Sequence, residues 1–202
     1  MNHPESVTII DGTACLGKTS VLKRISLQYP NVVIGDFAED VRLYPVFKDK
    51  NTDGAIDIAY TIFQLSKLQA RSIHDRGPLS ALTYSLIFSI IEGRRSLQQT
   101  EDLIARFPRE MWEIPKRMQT IIVLEDDPQA CLERMRLRNN GLDVMTIEYV
   151  KIQNEVFKLI ASRIGAKKLT RKKEEPMEAW IHRLQKEIML LHTTRTQAKT
   201  FF

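Results

Sequence analysis

Eight residues near the start of the chain have the spacing of a loop that binds phosphate. Residues 12–19 read Gly-Thr-Ala-Cys-Leu-Gly-Lys-Thr and fit the pattern G-x-x-x-x-G-K-[ST]. In such a loop the glycines let backbone N–H groups turn toward phosphate oxygens, and the lysine brings an ammonium group to the terminal phosphates. A strand-like run at residues 7–10 and a helix-like run at residues 20–28 flank the pattern, as the motif requires.

The chemistry predicted for this loop is the binding of ATP and Mg²⁺. Lys18 is expected to contact the terminal phosphates, and the hydroxyl of Thr19 is expected to bind the metal. The residues expected to hold ATP are Gly12, Thr13, Ala14, Cys15, Leu16, Gly17, Lys18, Thr19 and Ser20. The sequence contains no Asn-Lys-x-Asp stretch typical of guanine-reading switches and is short for a motor-type ATPase, which favours a small kinase.

A carboxylate follows the second predicted strand. Asp36 comes after the apolar run at residues 32–34 and could take the proton from an acceptor hydroxyl. Glu39 and Asp40 are nearby alternatives for that base, or they are solvated loop acids.

The third predicted strand, near residues 72–74, also ends in charged residues. Asp75 could bind Mg²⁺ or a water molecule, and the guanidinium of Arg76 could reach the acceptor or the phosphates. A surface ion pair is the alternative interpretation of these two residues.

Three arginines mark a candidate lid at residues 134–143. Arg134, Arg136 and Arg138 occupy alternate positions before the polar break at residues 139–141. On a continuous helix Arg134 and Arg138 share a face and Arg136 points elsewhere, so all three can meet a phosphate chain only if the helix frays. A closing arginine lid excludes water and stabilises a transferring phosphoryl group, whereas the alternative is a solvated basic face.

The elements that must position these residues alternate between strand and helix. Asp127 followed by Pro128 predicts a helix start, because Asp caps helix N-termini and proline suits the first turn. Further helices are predicted over residues 56–68, 79–91, 100–112, 146–163 and 176–191, and strands over 120–124 and 167–170. The alternation predicts an α/β fold with a parallel sheet of about five strands and helices on both faces. Ligands then collect at the carboxyl ends of the strands.

Composition limits the class of protein without choosing a ligand. The 202 residues are 43% hydrophobic and 27% charged, as in an ordinary globular protein, so we expect one domain over residues 1–202. The net charge of +5 fits any anionic ligand. Two cysteines form no secreted disulfide framework, and the longest apolar stretch, residues 82–91, is too short for a membrane span. We therefore expect a cytoplasmic protein with no membrane partner.

The loop, the Asp-Arg pair and the arginine segment resemble, in this order, the deoxynucleoside kinase and viral thymidine kinase family. The resemblance extends over about residues 7–157 and rests on residues 10–19, 75–78 and 134–143. Asp75-Arg76-Gly77-Pro78 is similar to the Asp-Arg-His-Pro segment of herpesvirus thymidine kinases. One departure is Asp36-Phe37, where the family usually has Glu-Pro.

The resemblance implies a P-loop kinase fold and transfer of the ATP γ-phosphate to the 5′-hydroxyl of a deoxynucleoside. It implies Asp36 in the position of the base, Asp75 near Mg²⁺ and Arg76 at the 5′-oxygen. The lid arginines would hold phosphates, and Asp143 would bond the sugar 3′-hydroxyl. Homodimerisation is expected on the same ground, and Gln64 and Gln69 are candidates for the base-reading glutamine of the family.

Two other functions remain open. Thymidylate kinases carry Asp-Arg-Tyr and then spaced Ser and Ala-Tyr, which Asp75-Arg76 with Ser80 and residues 83–84 matches; Arg42 could then hold the acceptor phosphate. A non-catalytic module that binds nucleotide or nucleic acid is suggested by five cations, Lys167, Lys168, Arg171, Lys172 and Lys173. These lack interleaved aromatic residues, so a solvated strand edge is the preferred interpretation and no nucleic acid partner is expected.

Overall fold

Five parallel strands form one sheet in the computed structural model, which describes residues 7–35, 37–48 and 54–198. The strands are β1 (Thr8–Gly12), β2 (Val32–Val33), β3 (Ile73–Asp75), β4 (Gln119–Glu125) and β5 (Lys167–Arg171). Their order across the sheet is β2-β3-β1-β4-β5, and every neighbouring pair is parallel. The α/β class and the five-stranded parallel sheet predicted from the sequence are confirmed.

Nine α-helices connect or follow these strands in the part of the chain that the structure describes. They are α1 (Lys18–Ser26), α2 (Phe37–Leu43), α3 (Ala55–Ser66), α4 (Ser80–Ile91), α5 (Leu97–Arg106), α6 (Glu113–Arg117), α7 (Pro128–Arg138), α8 (Ile147–Ile164) and α9 (Met177–Ala198). Short 3-10 turns lie at Pro45–Lys48 and Arg109–Trp112. Within the described residues, no helix combines the length and apolar character needed to cross a bilayer.

The helices cover both faces of the sheet with separate apolar clusters. On one face, Leu22 of α1 packs with Trp180 and Leu184 of α9. On the other face, Ile87 of α4 packs with Phe157 of α8. This two-sided burial accounts for the apolar strands, since parallel sheets are covered on both faces. The last predicted helix thus contributes buried apolar side chains to the core.

The start of α7 follows the predicted signal. Asp127 Oδ1 accepts a hydrogen bond of 3.1 Å from the backbone N–H of Ala130, and Pro128 occupies the first helical position. The helix then runs to Arg138 and ends at Asn139, whose backbone is left-handed with φ 40°. The start agrees with the sequence-based expectation.

The predicted helix over residues 100–112 is wrong in its bounds. Helix α5 begins earlier, because Ser96 and Gln99 form a capping box in which each side chain accepts from the other residue's backbone N–H. It ends at Arg106, because Pro108 disfavours helical backbone at Phe107, whose ψ is 139°. The chain continues through the turn Arg109–Trp112 into α6.

The strand order brings the functional strand ends together. The chain passes from β1 through α1 toward β2 on one side, whereas β4 and β5 lie on the other side of β1. Such a reversal opens a crevice at the carboxyl ends of the strands. Ile10 of β1 lies beside Asp75 of β3, and Gly12 lies beside Val123 of β4, so the phosphate loop and the Asp-Arg pair share this crevice.

Gly12 fills a position that admits no side chain. Its φ is 123°, and a Cβ atom built on it would lie 2.1 Å from the carbonyl oxygen of Val123. The backbone of β4 therefore passes directly against the start of the phosphate loop. Glycine is required here both by conformation and by contact.

We expect Gly12→Ala to lower the free energy of unfolding by about 3 kcal/mol or more, because the methyl group overlaps backbone that cannot move aside. Gly93→Ala is the matched control: Gly93 also has a positive φ, of 71°, but its Cβ would meet no atom within 4 Å. That substitution should cost only about 1–2 kcal/mol. Urea unfolding of both variants measures the difference, and equal losses would contradict the role of the β4 contact.

Candidate functional site

The phosphate loop joins β1 to α1 and has the backbone of an anion-binding nest. Cys15 and Gly17 both adopt left-handed conformations, with φ of 54° and 71°. Alternation of such residues with ordinary ones turns successive N–H groups toward one point. No side chain caps the N-terminus of α1 at Gly17, so the positive end of that helix faces the same crevice.

Lys18 extends its ammonium group back along the loop. Its Nζ donates to the carbonyl oxygens of Gly12 and Thr13 at 2.9 and 2.7 Å. Burial lowers the pKa of Lys18 to about 8, and the positive charge of Arg76 acts in the same direction, while Asp75 and Asp11 partly offset it. The crevice therefore holds a buried cation that an anionic ligand would stabilise.

Thr19 and Asp75 form an oxygen pair beside the loop. The hydroxyl of Thr19 donates to Asp75 Oδ2 at 2.8 Å, and the buried Asp75 Oδ1 accepts no hydrogen bond from the residues that the structure describes. Burial raises the pKa of Asp75, whereas Arg76, Lys18 and the Thr19 hydroxyl favour its charged form. These hard oxygen ligands fit Mg²⁺, which binds through one or two carboxylates and completes its shell with water and phosphate. Among the described residues, no group of three or more His, Cys, Asp or Glu could hold a metal by itself.

Arg76 lies at the inner wall of the crevice in a strained backbone conformation. Its φ is 69°, and its N–H donates to the carbonyl oxygen of Ile10 at 2.8 Å. The guanidinium carbon stacks 4.8 Å from the ring centre of Tyr84. Burial disfavours its charge, but Tyr84, Asp11 and Asp75 more than offset this, so the pKa of Arg76 lies above its ordinary value and the group stays protonated. Strain of this kind is common at ligand sites.

The start of α4 fixes this wall to β1. The hydroxyl of Ser80 donates to Asp11 and accepts from the backbone N–H of Gly77 at 3.0 Å. Asp11 also accepts from the N–H of Gly12 at 2.8 Å. Asp11 thus connects the phosphate loop with the segment that carries Arg76.

The lid arginines have different surroundings. Helix α7 stays continuous to Arg138, so it does not fray and does not bring Arg136, which is exposed, onto the face of the other two. Arg134 Nε donates to the carbonyl oxygen of Cys15 at 3.0 Å, and its guanidinium also pairs with buried Glu125. Arg138 pairs with Asp143, the residue expected to bond a sugar.

The remaining candidate acids lie at or near α2, and α2 contacts α3 through a buried carboxylate. Asp36 lies outside the described residues. Glu39 is exposed and pairs with Arg42, whereas Asp40 is buried and accepts from Tyr60 and Lys67 at 2.9 and 2.7 Å.

The two candidate glutamines differ in burial. Gln64 of α3 is buried, and within the described part of the chain its Oε1 has no hydrogen-bond partner. Gln69 is exposed. Of the two, Gln64 has the unpaired polar atom that recognition of a ligand requires.

Sequence reasoning missed the polar side chains that hold the loop from behind. Gln153 and Asn154 of α8 are buried against loop residues 13 and 14, and Glu125 is buried at the end of β4. The sequence pattern could have identified Gln153 as a buried residue that needs a hydrogen-bond partner. This residue lies at a core position of the helical pattern formed by Val150 and Phe157, where an amide needs a partner.

No protein-family model matches the chain. A curated protein of Lymantria dispar multicapsid nuclear polyhedrosis virus, described as an uncharacterized 33.9 kDa protein in PE 3′region, is 28% identical over 170 residues. The match covers 78% of this chain and 54% of that protein, so the chain spans about half the length of this curated relative.

Solved structures of deoxyadenosine kinase from M. mycoides resemble the fold. The structure with bound dCTP has a TM-score of 0.61 and 14% identity, covering 91% of this chain and 99% of that one. The structure with the products dCMP and a flexible dCDP has a TM-score of 0.59 and 14% identity, covering 92% and 99%. The chain therefore has the α/β fold of P-loop kinases, and these identities establish the fold alone.

Affinity for ATP should fall as the pH rises above about 8, because phosphate binds the protonated form of Lys18 and the free protein loses that proton near its lowered pKa. The loss should approach tenfold per pH unit until the pKa of the complex is reached. Calorimetric titration between pH 7 and 9.5 measures it. Lys18→Met should bind ATP weakly, and its affinity should show no change of slope near pH 8. If the wild-type affinity is unchanged over this range, Lys18 is not the group whose proton controls phosphate binding.

Proposed function

We propose that the protein is a deoxynucleoside kinase that transfers the ATP γ-phosphate to the 5′-hydroxyl of a deoxynucleoside. The observation that carries the proposal is the convergence of the nest-like loop, buried Lys18 and the Thr19–Asp75 oxygen pair at the carboxyl ends of the neighbouring strands β1 and β3, with Arg76 beside them. A phosphate loop alone supports nucleotide binding. The added carboxylate and guanidinium supply what phosphoryl transfer needs at the acceptor.

At the nucleotide end, the nest and Lys18 would hold the phosphates of ATP, and Thr19 with Asp75 would hold Mg²⁺. A bound Mg²⁺ would neutralise charge on the phosphate chain. Arg138 stands on a helix next to the loop and keeps a partly exposed guanidinium, so it would cover the phosphates. Arg136 is exposed on another face of the continuous helix, so it would join Arg138 only if the end of α7 unwinds when nucleotide binds. Arg134 would act on the loop through Cys15.

At the acceptor end, Asp36 is proposed to take the proton of the 5′-hydroxyl and Arg76 to contact the 5′-oxygen. Asp143 is proposed to bond the sugar 3′-hydroxyl, and this contact would compete with its pair to Arg138. Gln64 is the preferred residue for reading the base, because its Oε1 is buried and unpaired. Homodimerisation and a cytoplasmic location belong to the same proposal.

A thymidylate kinase is the alternative that the Ser80 and Tyr84 spacing supports. Its acceptor already carries a phosphate, so the site needs an additional cation. Arg42 is exposed and its charge is paired with Glu39, which leaves the acceptor side without a free arginine from α2. This pairing favours an uncharged nucleoside as the acceptor.

The basic residues near β5 give little support to a nucleic-acid-binding module. Arg171 is buried against Glu125, and Lys167 pairs with Glu187. Lys168 is exposed on β5, and Lys172 and Lys173 are exposed next to acidic residues 174–175.

Purified protein with ATP and Mg²⁺ should release ADP in the presence of at least one of the four deoxynucleosides, and Lys18→Ala should lose nearly all of this turnover while keeping its melting temperature. The four deoxynucleoside monophosphates are assayed in parallel. Turnover with dTMP and with no nucleoside would replace the proposal by a thymidylate kinase. Absence of all turnover together with tight, salt-sensitive DNA or RNA binding would favour the non-catalytic module.

Replacing Asp36 by Asn should reduce kcat by about 10² or more, because the amide cannot accept the proton of the acceptor hydroxyl. Glu39→Gln is the matched control, since that carboxylate is exposed and paired with Arg42, and it should leave kcat nearly unchanged. Steady-state kinetics with saturating nucleoside separates the two. A nearly unchanged Asp36→Asn rate with a reduced Glu39→Gln rate would move the role of base to Glu39.

A further inference from the structure

We propose that Gln153 and Asn154 of α8 are positioning residues that hold the phosphate loop in its anion-binding shape before a ligand arrives. The inference rests on the proposed function, because it concerns the nucleotide end of the same site. Gln153 and Asn154 lie far along the chain from the loop and would not touch the nucleotide, but they would set the affinity of the loop for it.

Two direct hydrogen bonds carry the proposal. The hydroxyl of Thr13 donates to Asn154 Oδ1 at 2.7 Å, and the backbone N–H of Ala14 donates to Gln153 Oε1 at 3.0 Å. Thr13, Ala14 and Gln153 are all buried. Water therefore cannot replace either contact without the loop or the helix moving.

The next carbonyl groups of the loop are held from behind as well. The Ala14 carbonyl accepts from Cys131 Sγ at 3.2 Å, the Cys15 carbonyl from Arg134 Nε at 3.0 Å, and the Leu16 carbonyl from Trp180 Nε1 at 2.8 Å. In a planar peptide unit the N–H points opposite to the C=O. Fixing these three carbonyls against α7 and α9 therefore leaves the following N–H groups, those of residues 15–17, directed into the nest.

Asn154 also extends the contact to β4 and α7. Its Nδ2 donates to the Glu125 carbonyl at 2.7 Å, and the Glu125 N–H donates to Asn154 Oδ1 at 3.1 Å. The Glu125 carboxylate pairs with Arg134, which returns to the loop at Cys15. Thr13, Asn154, Glu125, Arg134 and Cys15 thus form a closed ring of contacts that fixes the loop at two points.

The burial of these amides has a free-energy cost that the contacts must offset. Gln153 is fully buried and its Nε2 has no hydrogen-bond partner among the described residues. An apolar side chain would pack on this face of α8 without that penalty. The amide is therefore better explained by its bond to the loop than by packing of the helix.

The test compares Gln153→Met, which keeps the shape but cannot accept a hydrogen bond, with Thr100→Val. Thr100 is fully buried in α5 and donates only within its own helix, to the Ser96 carbonyl at 3.0 Å. Without nucleotide, hydrogen exchange of the Ala14 amide should be faster in Gln153→Met and unchanged in Thr100→Val. The Kd for ATP should rise about tenfold in Gln153→Met, with kcat changed less than KM, and stay near wild type in the control.

Thr13→Val removes the hydrogen bond from the loop to Asn154, and it provides the test if Gln153→Met fails to fold. The double variant Thr13→Val, Asn154→Leu should have a Kd for ATP no higher than that of the weaker-binding single variant. The reason is that both substitutions break the same hydrogen bond. Folded variants with ATP affinity within about twofold of wild type would overturn the proposal. Amide hydrogen exchange and ATP affinity can both be measured without a nucleoside. A lack of nucleoside turnover would therefore refute the proposed function without refuting the positioning role of Gln153 and Asn154.

Discussion

The buried ammonium group of Lys18 is the constraint around which the crevice is built. A cation in the protein interior requires nearby oxygen atoms, and the carbonyl oxygens of Gly12 and Thr13 supply them. Gly12, which supplies one of these carbonyls, adopts a conformation with φ of 123° directly against β4, where no side chain would fit. The packing of β4 beside β1 therefore requires glycine at the position whose carbonyl binds the ammonium group.

Charge pairing separates the two ends of the crevice. Around the nucleotide end, Glu125 is paired with Arg134 and Arg171, and Arg138 with Asp143. Among the described residues, Arg76 has no ion pair within salt-bridge distance and lies against the face of Tyr84 instead. A cation held against a ring and not by a carboxylate keeps its charge available for a ligand, which is consistent with a polar acceptor at this wall.

Local patterns in the sequence predicted the elements better than their contacts. The strand, loop and helix at residues 7–28 and the Asp127–Pro128 helix start were predictable because each depends on neighbouring residues. The end of α5 at Arg106 could have been predicted from Pro108, because a proline disfavours helical backbone at the residue before it. The sequence also indicated Thr19 and Asp75 separately as Mg²⁺ ligands, because one lies in the loop motif and the other at the end of the third predicted strand, and the carboxyl ends of parallel strands share one crevice.

The surroundings of the arginines could not be predicted in this way. Whether Arg134 faces a phosphate or the Cys15 carbonyl depends on the angle at which α7 packs against the loop, and that angle is set by tertiary contacts. The same holds for Asn154, whose partner Thr13 is 141 residues away along the chain. A residue pattern specifies a helical face, but it does not specify which segment lies opposite.

The distance along the chain between the loop and its supports has a consequence for folding. Leu16 is held by Trp180, 164 residues later, and Ala14 by Gln153, 139 residues later. Closing such long chain segments carries an entropy cost, and contacts between distant residues form slowly. An N-terminal fragment that contains the entire phosphate motif but ends before α8 would lack these supports. Any nucleotide affinity would then emerge only after α8 and α9 have been synthesised and folded, so that ligand binding would report and reinforce their docking against the loop.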